Sequence, residues 1–237
     1  MPLMRGGRSL IVNADDLGLS DAVNAGIFEA HASGIVTSAS LMVRQGAAPA
    51  GADAAAAHPD LAIGLHIDLG QWDYEAGEWV QAYLRCDTED PAAVEAECRA
   101  QLERFRALVG RDPTHLDSHQ HVHESEPVSG VAAQLAAELG VPLRNRAIRY
   151  EGGFYGQSGK GEPFPEGITP QRLCELIEAL PAGWTEIGCH PAAGPVPSSS
   201  YDAERQIELA TLRHPGVKDL LNVTSVRLCS YAQVFAP

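Results

Sequence analysis

The chain has 237 residues, of which 45% are hydrophobic and 20% are charged, and its formal net charge is −14. These values are typical of a globular protein, and we predict a single domain over residues 1–237. The acidic balance argues against a nucleic-acid or anionic-membrane partner, because no basic patch is available to contact phosphates.

Strands and helices are predicted to alternate along the chain. The predicted strands are 9–13, 35–43, 61–68, 114–121, 141–146, 185–190 and 226–228. The first predicted helix runs from its cap at Ser20 to about Ser33, where Gly34 ends it. The later helices are 49–58, 91–109, 127–139, 170–180 and 202–214, with a helical turn at 217–221.

This alternation indicates a parallel sheet, and six or seven strand–helix units indicate a closed or nearly closed barrel. The chain is slightly short for eight full units. We therefore predict an α/β fold with an irregular or incomplete (β/α) barrel, and a doubly wound open sheet is the alternative.

Two segments, 70–90 and 151–168, interrupt the alternation and mix glycine, proline and aromatic residues. Long loops of this kind in a compact domain are commonly functional. Aromatic side chains such as Trp72, Trp79 and Tyr155 suit stacking on sugar rings, but they could equally cover the barrel mouth. Both interpretations stay open.

The five cysteines are odd in number and form no Cys-x-x-Cys pair, which is typical of free thiols in a reducing compartment. The first residues are too few and too polar for a signal peptide, and no apolar stretch approaches the length of a membrane span. We therefore expect a cytoplasmic protein. The oligomeric state stays open, a homodimer included.

Four of the nine histidines lie within residues 114–123. Every second position of this segment carries an imidazole or a carboxylate: His115, Asp117, His119, His121 and His123. Alternation is the side-chain period of a strand, so these groups are predicted to share one face. Burying such a face is costly unless something binds it, which favours a metal or catalytic site over a packing face.

Further carboxylates and imidazoles stand at the ends of other predicted strands: Asp15, Asp16, His66 and His190. In α/β barrels the carboxyl ends of the strands form the face that carries the active site. Each group alone has an ordinary structural interpretation, such as a helix cap or a core histidine. Their shared position favours one common site.

The chemistry of such a site needs a metal ion and two groups that move protons. One carboxylate and two imidazoles leave coordination positions open for water and substrate, which is the catalytic pattern. A second carboxylate beside the ion can take a proton from that water, and a histidine across the site can protonate the leaving group.

Five motifs give the chain a family resemblance: NADDLG at 13–18, GIVTSAS at 34–40, GLHIDL at 64–69, THLDSHQHVH at 114–123 and CHP at 189–191. With these motifs, in this order, the chain resembles the YdjC-like carbohydrate deacetylases. That family removes acetyl groups from N-acetylglucosamine units of small chitooligosaccharides and has an irregular (β/α) barrel. The resemblance implies that Asp16, His66 and His119 are metal ligands, Asp15 the general base and His190 the general acid.

The resemblance also implies that Asp117, His121 and His123 support the ligands or face the substrate. Arg205 and Glu208 resemble an Arg–Glu pair of the family that orients Asp15 or its neighbours. Leu17 stands where the family usually has phenylalanine, a change that should not affect the ion. The segments 70–90 and 151–168 match poorly, which leaves the sugar and its length open.

We therefore expect a metal-dependent N-deacetylase that acts on a small neutral amino sugar with one divalent ion. Ligand preference favours zinc, cobalt or nickel, whereas the resemblance implies magnesium in some members. The alternatives are another metal-dependent hydrolase, either a phosphoesterase or a cyclic amidohydrolase, and a non-catalytic sugar-binding or metal-sequestering protein.

Overall fold

The computed structural model describes residues 7–75, 77–146, 148–197 and 199–234. The strands are β1 (Arg8–Leu17), β2 (Ser38–Leu41), β3 (Ala62–Ile67), β4 (Gly70–Glu75), β5 (Glu78–Leu84), β6 (Leu116–Ser118), β7 (Arg149–Glu151), β8 (Gly183–Cys189) and β9 (Val226–Leu228). The α-helices are α1 (Asp21–Ser33), α2 (Ala48–Ala55), α3 (Pro91–Val109), α4 (Val128–Leu139), α5 (Pro170–Glu178), α6 (Ala203–Leu212) and α7 (Pro215–Val223). Short 3₁₀ helices cover His119–Glu124, Pro165–Ile168 and Tyr231–Gln233.

Seven of the strands form one parallel sheet in the order β6-β3-β2-β1-β8-β7, with β9 also paired to β1. Within the described residues no continuous ladder joins β6 to β7. Instead Leu143 bridges to Leu116, and Arg144 bridges to Ile148. The prediction of an irregular, incomplete (β/α) barrel is confirmed.

The sheet is buried on both faces, as parallel sheets are when helices cover them. In β1 every residue after Arg8 is buried, and β3 is buried throughout. The predicted helix starts follow from capping: the Ser20 side chain accepts from the Val23 N–H, and Asp90 caps α3 ahead of Pro91. Among the described residues, no helix combines the length and the apolar character that crossing a bilayer requires.

The prediction of a strand over 114–121 is wrong after Ser118. Gln120 and His121 both have left-handed backbone angles, with φ of 50° and 54°, and the chain leaves the sheet there in a 3₁₀ helix. The Ser118 hydroxyl accepts from the His123 N–H at 3.0 Å and stabilises this turn. The alternating imidazoles therefore do not share one face.

Two other segments also differ from their prediction. Segment 70–90 is not a loop: β4 and β5 form an antiparallel hairpin outside the main sheet, with Gly77 (φ 96°) in its turn. The predicted strand 141–146 is reduced to two isolated bridges, because Asn145 with φ of 55° turns the chain directly after Arg144. The unpredicted strand β7 follows that turn.

Candidate active site at the carboxyl ends of the strands

A cavity of about 830 Å³ opens at the carboxyl ends of the parallel strands. Its wall includes Asp15 and Asp16 from β1, His66 from β3, and His190, which directly follows β8. The sequence predicted that these residues meet at one rim. The structure brings them together because the ends of parallel strands lie along the same edge.

Asp15 and Asp16 both reach the cavity, although adjacent residues of a regular strand point to opposite faces. Asp16 has a left-handed backbone with φ of 67°, and the pairing of β1 with β2 shifts register between Ala14 and Leu17. This irregularity turns the second carboxylate towards the same side as the first. Both residues are at most 3% exposed.

Asp16, His66 and His119 form a compact group of metal-ligand type. One ligand atom from each residue lies within 4.8 Å of the other two. Asp16 Oδ1 is 3.5 Å from His66 Nε2 and 3.2 Å from His119 Nδ1. One carboxylate oxygen and two imidazole nitrogens are thus directed at a common point at the floor of the cavity.

The far side of His66 is held by Asp117, whose Oδ1 accepts from Nδ1 at 2.8 Å. Asp117 is buried beneath the cavity rather than lining it. Burial alone would lower the pKa of the His66 imidazole, but Asp117 and Asp16 outweigh it and raise that pKa to about 10. The raised pKa means that the two buried carboxylates favour a positive charge at His66. A divalent cation bound to the imidazole could supply this charge in place of the added proton.

Asp15 is held by a residue that the sequence analysis missed. The guanidinium of Arg144 donates to both carboxylate oxygens of Asp15 at 2.7 Å, and Asn13 Nδ2 donates to Oδ1 at 2.8 Å. Burial raises the pKa of Asp15, but Arg144 more than compensates, so the pKa lies below its usual value. The carboxylate is therefore ionised and fixed at neutral pH.

Arg144 is fully buried and joins three carboxylates. Besides Asp15 it contacts Asp117 Oδ2 at 2.9 Å and Glu186 Oε1 at 2.6 Å. The hydroxyl of Tyr231 donates to the other oxygen of Glu186 at 2.5 Å. Asp15 and Asp117, the carboxylate behind His66, are thus oriented by the same cation.

His115 takes part in this buried layer and not in the cavity wall. Its ring stacks on Tyr231 with centroids 3.8 Å apart, and its Nε2 lies at hydrogen-bond distance, 3.1 Å, from the Ser40 hydroxyl. Burial lowers the pKa of His115 to about 4, so the ring is neutral. Gly64 leaves room for that ring, since a Cβ there would lie 2.4 Å from it.

His190 faces Asp15 across the cavity, with Nε2 3.8 Å from Asp15 Oδ2. Glu208 lies behind the ring, 3.8 Å from Nδ1, and accepts from the His190 backbone N–H at 2.5 Å. Burial alone would lower the pKa of His190, but Glu208 and Asp15 raise it above its usual value. The Tyr201 hydroxyl also donates to Glu208.

Arg205 contacts the predicted metal ligand rather than the predicted base. Its Nη2 donates to Asp16 Oδ2 at 2.7 Å, which leaves Oδ1 directed at the two imidazoles. Burial raises the pKa of Asp16, but Arg205 and the imidazoles bring it well below the usual value. The resemblance to an Arg–Glu pair therefore corresponds to two contacts, Arg205 with Asp16 and Glu208 with His190.

His121 and His123 lie apart from the three-residue group. His121 lines the cavity beside Tyr150, with ring centroids 5.0 Å apart. His123 is buried and its Nδ1 contacts the Ser118 hydroxyl at 2.6 Å, so it supports the turn and does not face the cavity. Together with Glu124 these two histidines form another group of ligand type.

The predicted aromatic segments supply the upper wall of the cavity. Trp72, Tyr74 and Trp79 come from the β4–β5 hairpin, and Tyr155 comes from segment 151–168. Trp79 is 58% exposed and its ring meets Tyr74 edge-on at 5.3 Å. The cavity therefore has a charged floor and an aromatic rim.

Comparison with known proteins identifies close relatives over nearly the whole chain. The profile of the YdjC-like protein family matches residues 9–223. The chain is 37% identical over 251 residues to a carbohydrate deacetylase of Geobacillus stearothermophilus, covering 96% of this chain and 98% of that protein. It is 31% identical over 250 residues to a chitooligosaccharide deacetylase of Klebsiella pneumoniae subsp. pneumoniae, covering 96% and 99%.

A solved structure from Enterococcus faecalis, described as that of a proposed cellobiose-phosphate cleavage protein, has a similar fold. The two chains superpose with a TM-score of 0.77 at 27% sequence identity, covering 95% of this chain and 98% of that one.

Proposed function

Because this chain belongs to the YdjC-like protein family, we propose that it is a metal-dependent carbohydrate N-deacetylase. The observation that carries the proposal is the arrangement around one cavity. Asp16, His66 and His119 converge on a point at its floor, and the ionised Asp15 and the imidazole of His190 flank that point. Metal-assisted hydrolysis of an amide uses an ion, a base for the water and an acid for the leaving group.

Asp16, His66 and His119 would hold a divalent ion, with zinc, cobalt and magnesium as the candidates. A carboxylate with two imidazoles suits the first two, and the three ligands leave positions for water and a carbonyl oxygen. Bound there, the ion would polarise the acetamide carbonyl and lower the pKa of a water molecule.

Asp15 would act as the general base. Arg144 and Asn13 keep its carboxylate ionised and prevent it from rotating. It would accept one proton from the water as the water oxygen attacks the acetyl carbon. Its position beside Asp16 in the chain places the base next to the predicted ion site.

His190 would act as the general acid. Glu208 favours its protonated form, so the ring carries a proton that it can donate to the sugar nitrogen. As the C–N bond breaks, that proton converts the nitrogen to an amine, and the acetyl group leaves as acetic acid, which ionises to acetate. Asp15 then releases its proton to solvent and His190 takes one up, which restores both groups.

A neutral sugar fits the cavity better than a phosphorylated substrate. Among the described residues that line the cavity, Arg205 is the single arginine or lysine, and its guanidinium is occupied by Asp16. A phosphoesterase needs free cations to clamp phosphate oxygens, so this alternative is disfavoured. The aromatic rim suits sugar rings, and relatives named as chitooligosaccharide deacetylases support small N-acetylglucosamine oligomers as substrates.

Mere sugar binding or metal sequestration would not require Asp15 and His190 to be held as they are. We further propose a reducing compartment such as the cytoplasm. All five cysteines are free thiols, and Cys98, Cys189 and Cys229 are buried.

The decisive experiment measures acetate release from N-acetylglucosamine, chitobiose and chitotriose. The protein is first treated with a chelator and then supplied with magnesium, zinc or cobalt. Acetate release that returns with the metal, and is absent in Asp16→Ala and His66→Ala, supports the proposal. Tight metal binding without acetate release from any of the sugars would contradict it.

A further inference from the structure

The imidazole of His119 is held from outside the barrel. Its Nδ1 faces Asp16, and its Nε2 lies 2.5 Å from Oε1 of Gln71 on strand β4. Gln71 Nε2 in turn donates to Asp73 Oδ1 at 2.7 Å, and the Ser200 hydroxyl donates to the same oxygen at 3.2 Å. A line of hydrogen bonds therefore runs from the predicted ion site through the hairpin to the opposite rim of the cavity.

We propose that Gln71 is a positioning residue of the metal site, which makes the β4–β5 hairpin a structural part of that site. This inference rests on the proposed function, because it assumes that His119 is a ligand. Gln71 would set which nitrogen of His119 is free for the ion and fix the plane of its ring.

The donor and acceptor roles in this line follow from chemistry. A carboxylate oxygen of Asp73 only accepts, so the Gln71 atom beside it is the NH₂ group and the atom beside His119 is the carbonyl oxygen. A carbonyl oxygen also only accepts, so His119 Nε2 carries the hydrogen. In a neutral imidazole the lone pair is then on Nδ1, the nitrogen that faces Asp16.

Hydrogen bonds on both sides of Gln71 attach the hairpin to the barrel. The Gln120 side-chain amide makes two hydrogen bonds with the Trp72 backbone, at 3.0 Å and 2.7 Å. At the hairpin base the buried Asp68 accepts from the Tyr83 hydroxyl at 2.9 Å and from Arg85 Nη2 at 2.7 Å. Gln71 therefore has a fixed position relative to the barrel.

The two predicted imidazole ligands are consequently supported in different ways. His66 presents Nε2 and is held by the buried carboxylate of Asp117, whereas His119 presents Nδ1 and is held by the neutral amide of Gln71. Residues that orient a ligand histidine commonly change metal affinity about 10–100-fold when they are removed. Gln71 should have an effect of that size.

The test measures Zn²⁺ affinity of the full chain by competition with a chelator. Gln71→Leu removes both hydrogen bonds at nearly constant size and should weaken Zn²⁺ binding about 10–100-fold. It should also alter the visible spectrum of the Co²⁺-loaded protein, which reports the ligand geometry. The matched control is Gln81→Leu, at an exposed position on the partner strand of the same hairpin.

A double variant tests the donor and acceptor roles assigned to Gln71 and Asp73. Gln71→Glu alone places two carboxylates together and should bind Zn²⁺ less tightly than the double variant. Gln71→Glu with Asp73→Asn restores a donor at position 73 and keeps an acceptor towards His119. It should therefore recover Zn²⁺ affinity to within about threefold of the wild-type value, because both hydrogen bonds of the line are present again.

The outcomes separate this inference from the proposed function. Wild-type protein that binds Zn²⁺ no better than Asp16→Ala would refute the ion site and this inference with it. Wild-type and Gln71→Leu proteins with equal affinity and equal Co²⁺ spectra would refute the role of Gln71 alone. Equal weakening by Gln81→Leu would also refute it, because the effect would then be general to the hairpin.

Discussion

The two halves of the active site are fixed by different parts of the molecule. Asp15 and His66 are oriented from beneath, by Arg144 and Asp117, which are fully buried in the barrel. His119 is oriented from above, by a hairpin whose second strand is mostly exposed. The position of the proposed base thus depends on the folded core, and the proposed ion site also contacts an element outside the main sheet.

The largest expected effect is on turnover, from Asp15→Asn. The variant keeps the shape of the side chain but removes the proton acceptor, so kcat should fall about 10²–10⁴-fold. Because Asp15 is not among the three predicted ligands, Zn²⁺ affinity should stay close to that of the wild type. Steady-state acetate assays and metal titrations check both points, and retained activity would remove Asp15 from the role of base.

The next expected effect is on stability, from Arg144→Met. Without this cation the carboxylates of Asp15, Asp117 and Glu186 stay buried but lose their shared ion-pair partner. The free energy of unfolding should therefore fall by about 3–5 kcal/mol. Denaturant titration of the wild type and the variant measures this difference in the free energy of unfolding.

A matched control is Arg99→Met, which removes exposed ion pairs with Glu95 on α3 and Glu138 on α4 and should leave the unfolding transition nearly unchanged. If Arg144→Met unfolded at the same denaturant concentration as this control, the ion pairs that Arg144 makes beneath the cavity would not contribute to the stability of the core.

A smaller effect is expected on pH dependence, from Glu208→Gln. The proposed mechanism requires Asp15 ionised and His190 protonated, so activity should rise with pH through the pKa of Asp15 and fall with pH through the pKa of His190. Glu208 raises the pKa of His190, so its neutral replacement should lower that pKa and move the alkaline limb of kcat/KM to lower pH. The acid limb should not move, and an unchanged alkaline limb would assign it to another group.

The sequence predicted the site residues that lie at the carboxyl ends of strands. Asp15, Asp16, His66 and His190 stand at the ends of apolar strands, and parallel strands bring such ends together whatever the details of packing. The barrel class followed from the same alternation. Local patterns were sufficient for these features because each depends on the position of a residue within its own element.

The sequence could not predict the groups that act through distant contacts. Arg144 lies 129 residues from Asp15, and its neighbours Arg146 and Arg149 are equally plausible from the sequence alone. The turn after Ser118 depends on two consecutive left-handed residues, Gln120 and His121, which are not glycines and give no turn signal. Alternation therefore predicted a longer strand than the structure contains.

The smallest expected effect lies on the hairpin side, from Trp79→Ala. Trp79 lines the cavity with 58% of its surface exposed, and we take the about 0.5–1.5 kcal/mol of an aromatic ring pair as the scale for a sugar ring stacked on the indole. KM for chitotriose should therefore rise about two- to tenfold, with kcat and Zn²⁺ affinity unchanged. Val80→Ala is the control, because Val80 is the next residue of the same strand and does not line the cavity. Should kcat fall together with Zn²⁺ affinity, the aromatic rim would act on the ion through Gln71 and not on the sugar alone.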